Sequence, residues 1–185
     1  LPPLALEALL HPASQTLFND LVERFALHSP LSGVQPKVLA QVLNKATLKL
    51  DGYIVKAWGA EYPQLALNEY WGMKACENAG ITVPEFHLSD DGALFIMKRF
   101  DISAGGIPLG FEDMCVLQAR QRDDKYTGSY EQLAKTIGLF VSPELKANSL
   151  QQFFKMMVLN QRLQNGDAHL KNFGLVYEDI NHIRL

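Results

Sequence analysis

Three sets of side chains in this chain could do chemistry together. Lys56 ends the apolar stretch Tyr53-Ile54-Val55-Lys56, and a lysine on a strand that otherwise faces a core is unusual unless its ammonium has a partner. Glu69 follows on a segment that reads as a helix. The third set is Asn165-Gly166-Asp167-Ala168-His169-Leu170-Lys171-Asn172, directly after an apolar helical stretch. Phosphoryl transfer asks for these types in this order. A lysine neutralises the α- and β-phosphates and a helix glutamate orients it. A carboxylate accepts the nucleophile's proton, and a nearby side-chain amide helps to hold a metal. Asp167 and Asn172 have four residues between them, the D-x-x-x-x-N spacing, so both can face one phosphate from a tight loop. Taken singly, each has a plainer reading: Lys56 as a strand-end lysine snorkelling into solvent, Glu69 as a solvated helix carboxylate, and D-x-x-x-x-N as a chance spacing.

The elements that must position them follow from periodicity. Leu17, Leu21 and Phe25 recur at helical spacing, so the first thirty residues read as helical. Val38 to Lys56 is short-period and rich in β-branched residues, with Asp51-Gly52 as a hairpin turn, and predicts an antiparallel sheet. Pro63 opens a helix through Leu67, Tyr70, Trp71, Lys74 and Ala75 that Gly80 stops. Glu85 to Phe100 predicts a second hairpin turning at Ser89-Asp90-Asp91-Gly92, with ALFIMKRF as its buried return strand. Gly105, Gly106 and Pro108 make a loop, and Arg120 to Ser129 reads as exposed and polar. From Tyr130 the character is helical, with Leu150, Phe153, Phe154, Met157 and Val158 on one expected buried face. The closing stretch FGLVYEDINHIRL predicts a hairpin. A β-rich front holding one helix, followed by helices, suggests two lobes rather than one sandwich.

Composition narrows the class. The 185 residues are 48% hydrophobic and carry a formal charge of −3, too apolar and too weakly charged for a disordered chain. That charge provides no global basic field for a nucleic-acid backbone. Two cysteines, Cys76 and Cys115, make no disulfide framework, and a reducing, cytoplasmic setting is expected. No apolar run is long enough to span a membrane. His11, His28, His87 and His182 show no metal-ligand spacing.

One more stretch, Ser32-Gly33-Val34-Gln35-Pro36-Lys37, precedes the first strand. On physics alone it is a polar loop, in which Gly33 permits close backbone approach and Lys37 could meet a phosphate. Together with YIVK, NEY, KRFD and NGDAHLKNFGLVY, it resembles the HipA-like serine/threonine kinases, the toxins of bacterial toxin–antitoxin modules, and most nearly their short, split-type members. The matching blocks run from Ser32 to the C-terminus.

The resemblance implies an α+β, two-lobed protein-kinase-like fold. Residues 1–100 would form an N-lobe with an antiparallel sheet, one helix, the ATP loop and the hinge. Residues 101–185 would begin a helical C-lobe, cut short, with the catalytic loop. It also implies ATP and Mg2+ as cofactors. Asp167 would be the catalytic base, Asn172 a Mg2+ ligand, and His169 would sit against the phosphates. Lys56 would contact the α- and β-phosphates, and Glu69 falls at the helix glutamate. Gly33, Val34, Gln35, Pro36 and Lys37 would cover ATP, and Lys98, Arg99 and Phe100 would be the hinge that meets adenine. The implied partners are a protein substrate of the aminoacyl-tRNA synthetase type and an antitoxin, with nucleic acid reached only through that partner.

Two departures accompany it. The regulatory serine expected three positions before the glycine is Pro30, with Ser29 and Ser32 close by as candidate autophosphorylation sites. The family's second metal ligand, an Asp in a D-F-G-like position, falls beyond residue 185, so the chain by itself is not expected to be a competent kinase. The alternatives are a small-molecule or lipid phosphotransferase, against which SGVQPK argues, and a non-catalytic kinase-like binding fragment.

Overall fold

The structure, a computed structural model, describes residues 6–12, 45–49, 52–58 and 62–185. The expected helix beyond residue 12, the strand over 38–44, the loop Gly33 to Lys37, and Ser29 and Ser32 all lie outside the described residues. The chain divides into two units: Leu1–Lys74 with Pro84–Arg99, and Ala75–Val83 with Phe100–Leu185.

The first unit is built on an antiparallel sheet. Among the described residues its order is β1 (Lys45–Lys49), β2 (Tyr53–Trp58), β4 (Leu94–Lys98), β3 (Phe86–Leu88). Side chains alternate across a strand, so Val55, Ala57, Leu94 and Ile96 share one face and bury Leu9 of α1 (Leu6–Leu10) among them. Lys56, Phe95 and Phe86 belong to the other face, where Tyr70 of α2 (Leu65–Asn78) meets Phe86 edge-on at 5.6 Å. Covering both faces explains why β4 reads as an unbroken apolar run, LFIM, without alternation. Burial of each of the large apolar side chains Leu9, Val55, Leu94, Phe95 and Ile96 stabilises by about 1.5–3 kcal/mol. The β3–β4 turn falls where expected: Gly92 has φ 70°, and Ser89 Oγ donates to Asp91 and accepts from the Leu94 N–H.

α2 departs from expectation at its start and meets it at its end. The helix begins at Leu65, not at Pro63. Gln64, at φ 61°, offers the carbonyl that receives the Asn68 N–H, so Pro63 lies in the turn before the cap. At the other end Gly80 takes φ 66°, while the Ile81 N–H reaches the Cys76 carbonyl and the Gly80 N–H that of Glu77. This is a Schellman stop, and it needs the left-handed backbone that glycine adopts without strain.

The second unit holds a sheet ordered β5 (Gly110–Asp113), β6 (Gly174–Tyr177), β7 (Ile183–Arg184), all antiparallel. Its helices among the described residues are α3 (Met114–Leu117), α4 (Tyr130–Phe140) and α5 (Pro143–Arg162). Ser129 caps α4, accepting from the Gln132 N–H while the Gln132 side chain accepts from the Ser129 N–H. Pro143 opens α5, where a missing N–H costs nothing. Met114, Cys115, Ile137, Phe153, Leu170, Phe173 and Leu175 are buried in one cluster.

One expectation about α5 fails. Phe153 is buried, with Leu150 against the same cluster, but Phe154 is 59% exposed and Val158 also faces outward. The apolar stripe of α5 is wider than its buried face. The core takes Leu145, Ser149, Phe153 and Met156, which is the stripe rotated by about one residue.

Candidate active site

Lys56 is placed by the sheet. Its neighbours Val55 and Ala57 are buried on one face, so period-2 alternation turns Lys56 to the other, opposite Phe95. Glu69 comes down from α2. Lys56 Nζ donates to both of its carboxylate oxygens, at 2.8 and 3.1 Å, and lies 5.8 Å from the centroid of the Phe95 ring. The two side chains are 28% and 29% exposed, so the ammonium is paired yet reachable.

The second group sits on the turn after α5. The helix frays through Leu163 and through Gln164 at φ 54°. Asn165 then organises the turn: its side-chain amide donates to the Asn160 side chain, and its Oδ1 accepts from the Asp167 N–H at 3.1 Å. A short 3-10 turn, Leu170–Asn172, follows. Leu170 and Phe173 are buried in the core cluster, while Asp167 (67% exposed) and Asn172 face out. The loop is thus pinned by its apolar residues and presents its polar ones. The Asn172 amide donates to the Asp167 backbone carbonyl and, at 3.3 Å, to Oδ2 of its carboxylate. His169 is nearly buried at 9% exposure. Its Nε2 lies 3.5 Å from Asp167 Oδ1, and its Nδ1 is buried without a hydrogen-bond partner.

The hinge candidates divide. The Lys98 N–H donates to the Glu85 carbonyl and the Arg99 N–H to that of Gly52, so both backbone donors are already engaged. The Lys98 side chain points to solvent, 3.9 Å from Glu85. Phe100 packs edge-on against Phe111, centroids 5.6 Å apart. Phe111 in turn covers Gly174, where an added Cβ would stand 2.4 Å from the Phe111 ring. Glycine is required here by close approach rather than by backbone angle.

Two contributors escaped the sequence reading. Asp113 caps α3 by accepting from the Val116 N–H at 3.1 Å and receives Lys171 Nζ at 2.6 Å, tying the Asp167–Asn172 loop to the end of β5. Burial works to raise the Asp113 pKa, but the hydrogen bonds from Lys171 and from the Val116 N–H outweigh it and hold the carboxyl below its ordinary value. Its position just before the apolar Met114-Cys115-Val116-Leu117 was a helix-start signal. Tyr126, from the polar 3-10 stretch Arg122–Tyr126, stands edge-on to His169 at 5.1 Å, and no local pattern pointed to it.

The donor chemistry fits the cation that a triphosphate requires. Asp167 and Asn172 offer hard oxygens, and Mg2+ is commonly held by one or two protein oxygens together with waters and substrate phosphates. Among the described residues, no group of three or more His, Cys, Asp or Glu forms a dedicated cage.

Residues 29–185 match the HipA-like C-terminal domain family. The chain belongs to that family. It is 29% identical over 177 residues to a Sinorhizobium fredii protein named "Putative kinase Y4dM", an alignment taking in 83% of this chain and 42% of that protein. It is 28% identical over 172 residues to a Haemophilus influenzae protein named "Putative kinase", taking in 84% of this chain and 50% of that one. The chain therefore spans half or less of the length of these curated relatives. A solved structure of the HipA–HipB toxin–antitoxin system of Shewanella oneidensis MR-1 with its operator DNA superposes with a TM-score of 0.65 at 17% identity, over 95% of this chain and 50% of that one. The mixed α/β architecture with antiparallel sheets is thus the fold of a HipA kinase-like domain. Among the described residues, no helix is long and apolar enough to cross a membrane.

Proposed function

We propose that the protein is an ATP-dependent serine/threonine kinase acting in the cytoplasm as the toxin of a toxin–antitoxin module. The observation that carries the reading is the Asp167–Asn172 pair, a carboxylate and an amide 3.3 Å apart on the exposed side of a loop whose apolar residues are locked in the core. In this reading Asp167 accepts the proton of the acceptor hydroxyl as the phosphoryl group moves in line. Lys56, oriented by Glu69, offsets charge on the α- and β-phosphates. Mg2+, held through Asn172 with phosphate oxygens, would supply neutralisation of the phosphate charge. Catalysis then rests on positioning and electrostatics. The reading requires Lys56 and the Asp167–Asn172 loop to address the same triphosphate, with Gly33 to Lys37 covering it. Adenine would meet backbone groups of Lys98, Arg99 and Phe100 other than the two amides already engaged.

By family likeness, the acceptor is a protein of the aminoacyl-tRNA synthetase type and the partner an antitoxin, through which any contact with DNA is made. The complex of the Shewanella neighbour supports such a partner. The test uses the full-length polypeptide with radiolabelled ATP. Asp167→Asn should lower phosphoryl transfer by about 10²–10⁴-fold, the usual worth of a general base, while ATP binding is retained. Transfer surviving that change would refute the assignment of the base. Offering a bacterial proteome alongside lipid and aminoglycoside panels separates a protein kinase from a small-molecule phosphotransferase.

A further inference from the structure

The second unit exposes an aromatic pair that the transfer step itself does not use. Phe100 and Phe111 are 38% and 42% exposed, with ring centroids 5.6 Å apart and planes at 66°. Single exposed apolar side chains are ordinary on a surface. Two in contact at this angle form a floor and a wall, an open apolar corner. The corner is held in shape from beneath. Phe111 lies over Gly174, where an added Cβ would stand 2.4 Å from the ring and 3.0 Å from the Glu112 backbone carbonyl. Gly174 pairs with Asp113 and Phe111 with Val176, so the ring leans diagonally across the β5–β6 ladder. Any larger residue at 174 would push the ring out of place.

The place of the corner in the unit says what it can receive. Phe111 and Asp113 are two residues apart on β5, so their side chains leave the same face, about 7 Å apart along the strand. Asp113 holds Lys171, inside the Asp167–Asn172 loop. The corner and the phosphate-handling loop are thus anchored to one strand. Phe100 directly follows Lys98 and Arg99, whose backbone N–H groups are already engaged. Neither aromatic ring carries a hydrogen-bonding group, so the chemistry of the corner is stacking, which tolerates any base because each has a π-face. A site rejects a ligand with the wrong donors and acceptors when its own buried polar groups would be left unpaired. Here the rings are about two-fifths open to water, and that penalty is small.

We infer that Phe111 and Phe100 form the platform for the nucleobase of the phosphoryl donor, and that stacking rather than hydrogen bonding at the base edge provides most of the recognition of that base. The donor class is then the purine nucleoside triphosphates, with GTP accepted nearly as well as ATP. The inference rests on the kinase reading and names the donor specificity of that same site.

The test is calorimetric binding to the full-length polypeptide with Mg2+, using ATP, GTP, CTP and inorganic tripolyphosphate as probes. ATP and GTP should bind within about tenfold of each other, and CTP, with its smaller ring face, more weakly. Phe111→Ala should weaken ATP and GTP by about 5- to 150-fold, the worth of one stacked base, and leave tripolyphosphate unchanged. Phe111→Leu, which keeps an apolar side chain over Gly174 but has no π-face, should weaken them in the same direction. Phe111→Tyr should retain the parental affinity, and thermal melting checks that all three variants fold. Unchanged ATP affinity in both Phe111→Ala and Phe111→Leu, or an equal loss for ATP and tripolyphosphate, would overturn the platform and leave the kinase reading intact. GTP binding weaker than ATP by more than about tenfold would overturn recognition by stacking. No binding of ATP by the parent protein would remove both readings.

Discussion

The two units solve the problem of holding a charged group in opposite ways. In the first, Lys56 and Glu69 stand on regular elements, a strand and a helix, and satisfy each other through two hydrogen bonds. In the second, Asp167, His169 and Asn172 stand on irregular backbone, held mainly by their own side chains and by two apolar anchors, and one ring nitrogen is left without a partner. The pair in the first unit is complete before any ligand arrives. The loop in the second is precise only because Leu170 and Phe173 are buried beneath it. The rigidity of the first therefore comes from secondary structure, and that of the second from packing.

Removing an anchor is the strongest way to break the comparison. Phe173 is buried in the core cluster and meets Phe153 edge-on at 5.8 Å. Phe173→Ala should cost about 3–5 kcal/mol in urea unfolding. If the loss stayed below about 1 kcal/mol, packing would not be what holds the loop.

The clamp at Asp113 comes next. Asp113→Ala removes both the α3 cap and the Lys171 contact, and a lost cap costs about 0.5–2 kcal/mol. The pH dependence has a defined sign. The native pKa is depressed, so the contribution is fully present above the unfolded carboxyl pKa and disappears as pH falls through the native one. The stability gap between the parent protein and Asp113→Asn should thus be constant near neutrality and close in acid. A gap that widened in acid would reverse the assignment.

What could be read from the sequence divides along the same line. Local chemistry was legible: the Asp90–Gly92 turn, the Gly80 stop and the Asp167–Asn172 spacing each depend on residues close in the chain. Strand β5 was not. Gly110-Phe111-Glu112-Asp113 has no β-branched residue and two acids, and it becomes a strand only because β6, some sixty residues on, pairs with it and Gly174 makes room for Phe111. The Asp113–Lys171 contact is hidden for the same reason. The orientation of α5 was misread because hydropathy marks apolar residues without marking which of them the core takes, and Phe154 and Val158 face outward. Nothing local tied Tyr126 to His169.

A smaller effect sharpens the contrast from the side of the first unit. A partly exposed ion pair is worth little to stability, so a double-mutant cycle between Lys56→Met and Glu69→Gln should give a coupling below about 1 kcal/mol. The Phe173 result should exceed it several-fold. A coupling of comparable size would mean that the Lys56–Glu69 pair is a structural brace rather than a group held ready for a ligand.

The smallest effect probes the edge of the first unit. α1 docks through buried Leu9 and through the Leu10 carbonyl, which accepts from the Asp90 N–H at 2.9 Å. His11 Nδ1 lies 2.5 Å from Asp90 Oδ2, with Glu7 on its other side at 3.4 Å. The hydrogen bond to Asp90, and then its charge, raise the His11 pKa above the ordinary histidine value. The stabilisation is therefore complete below the unfolded histidine pKa and fades as pH rises through the native one. Because these side chains are well exposed, the effect should register in the ring chemical shifts of His11 and in amide exchange near Leu10, rather than in global unfolding. In Asp90→Asn the His11 titration should move down toward that of a free histidine, and amide protection at the end of α1 should lose its pH dependence. An unchanged titration would show that α1 is held by Leu9 alone, making its docking, like that of the Asp167 loop, a matter of packing rather than of charge.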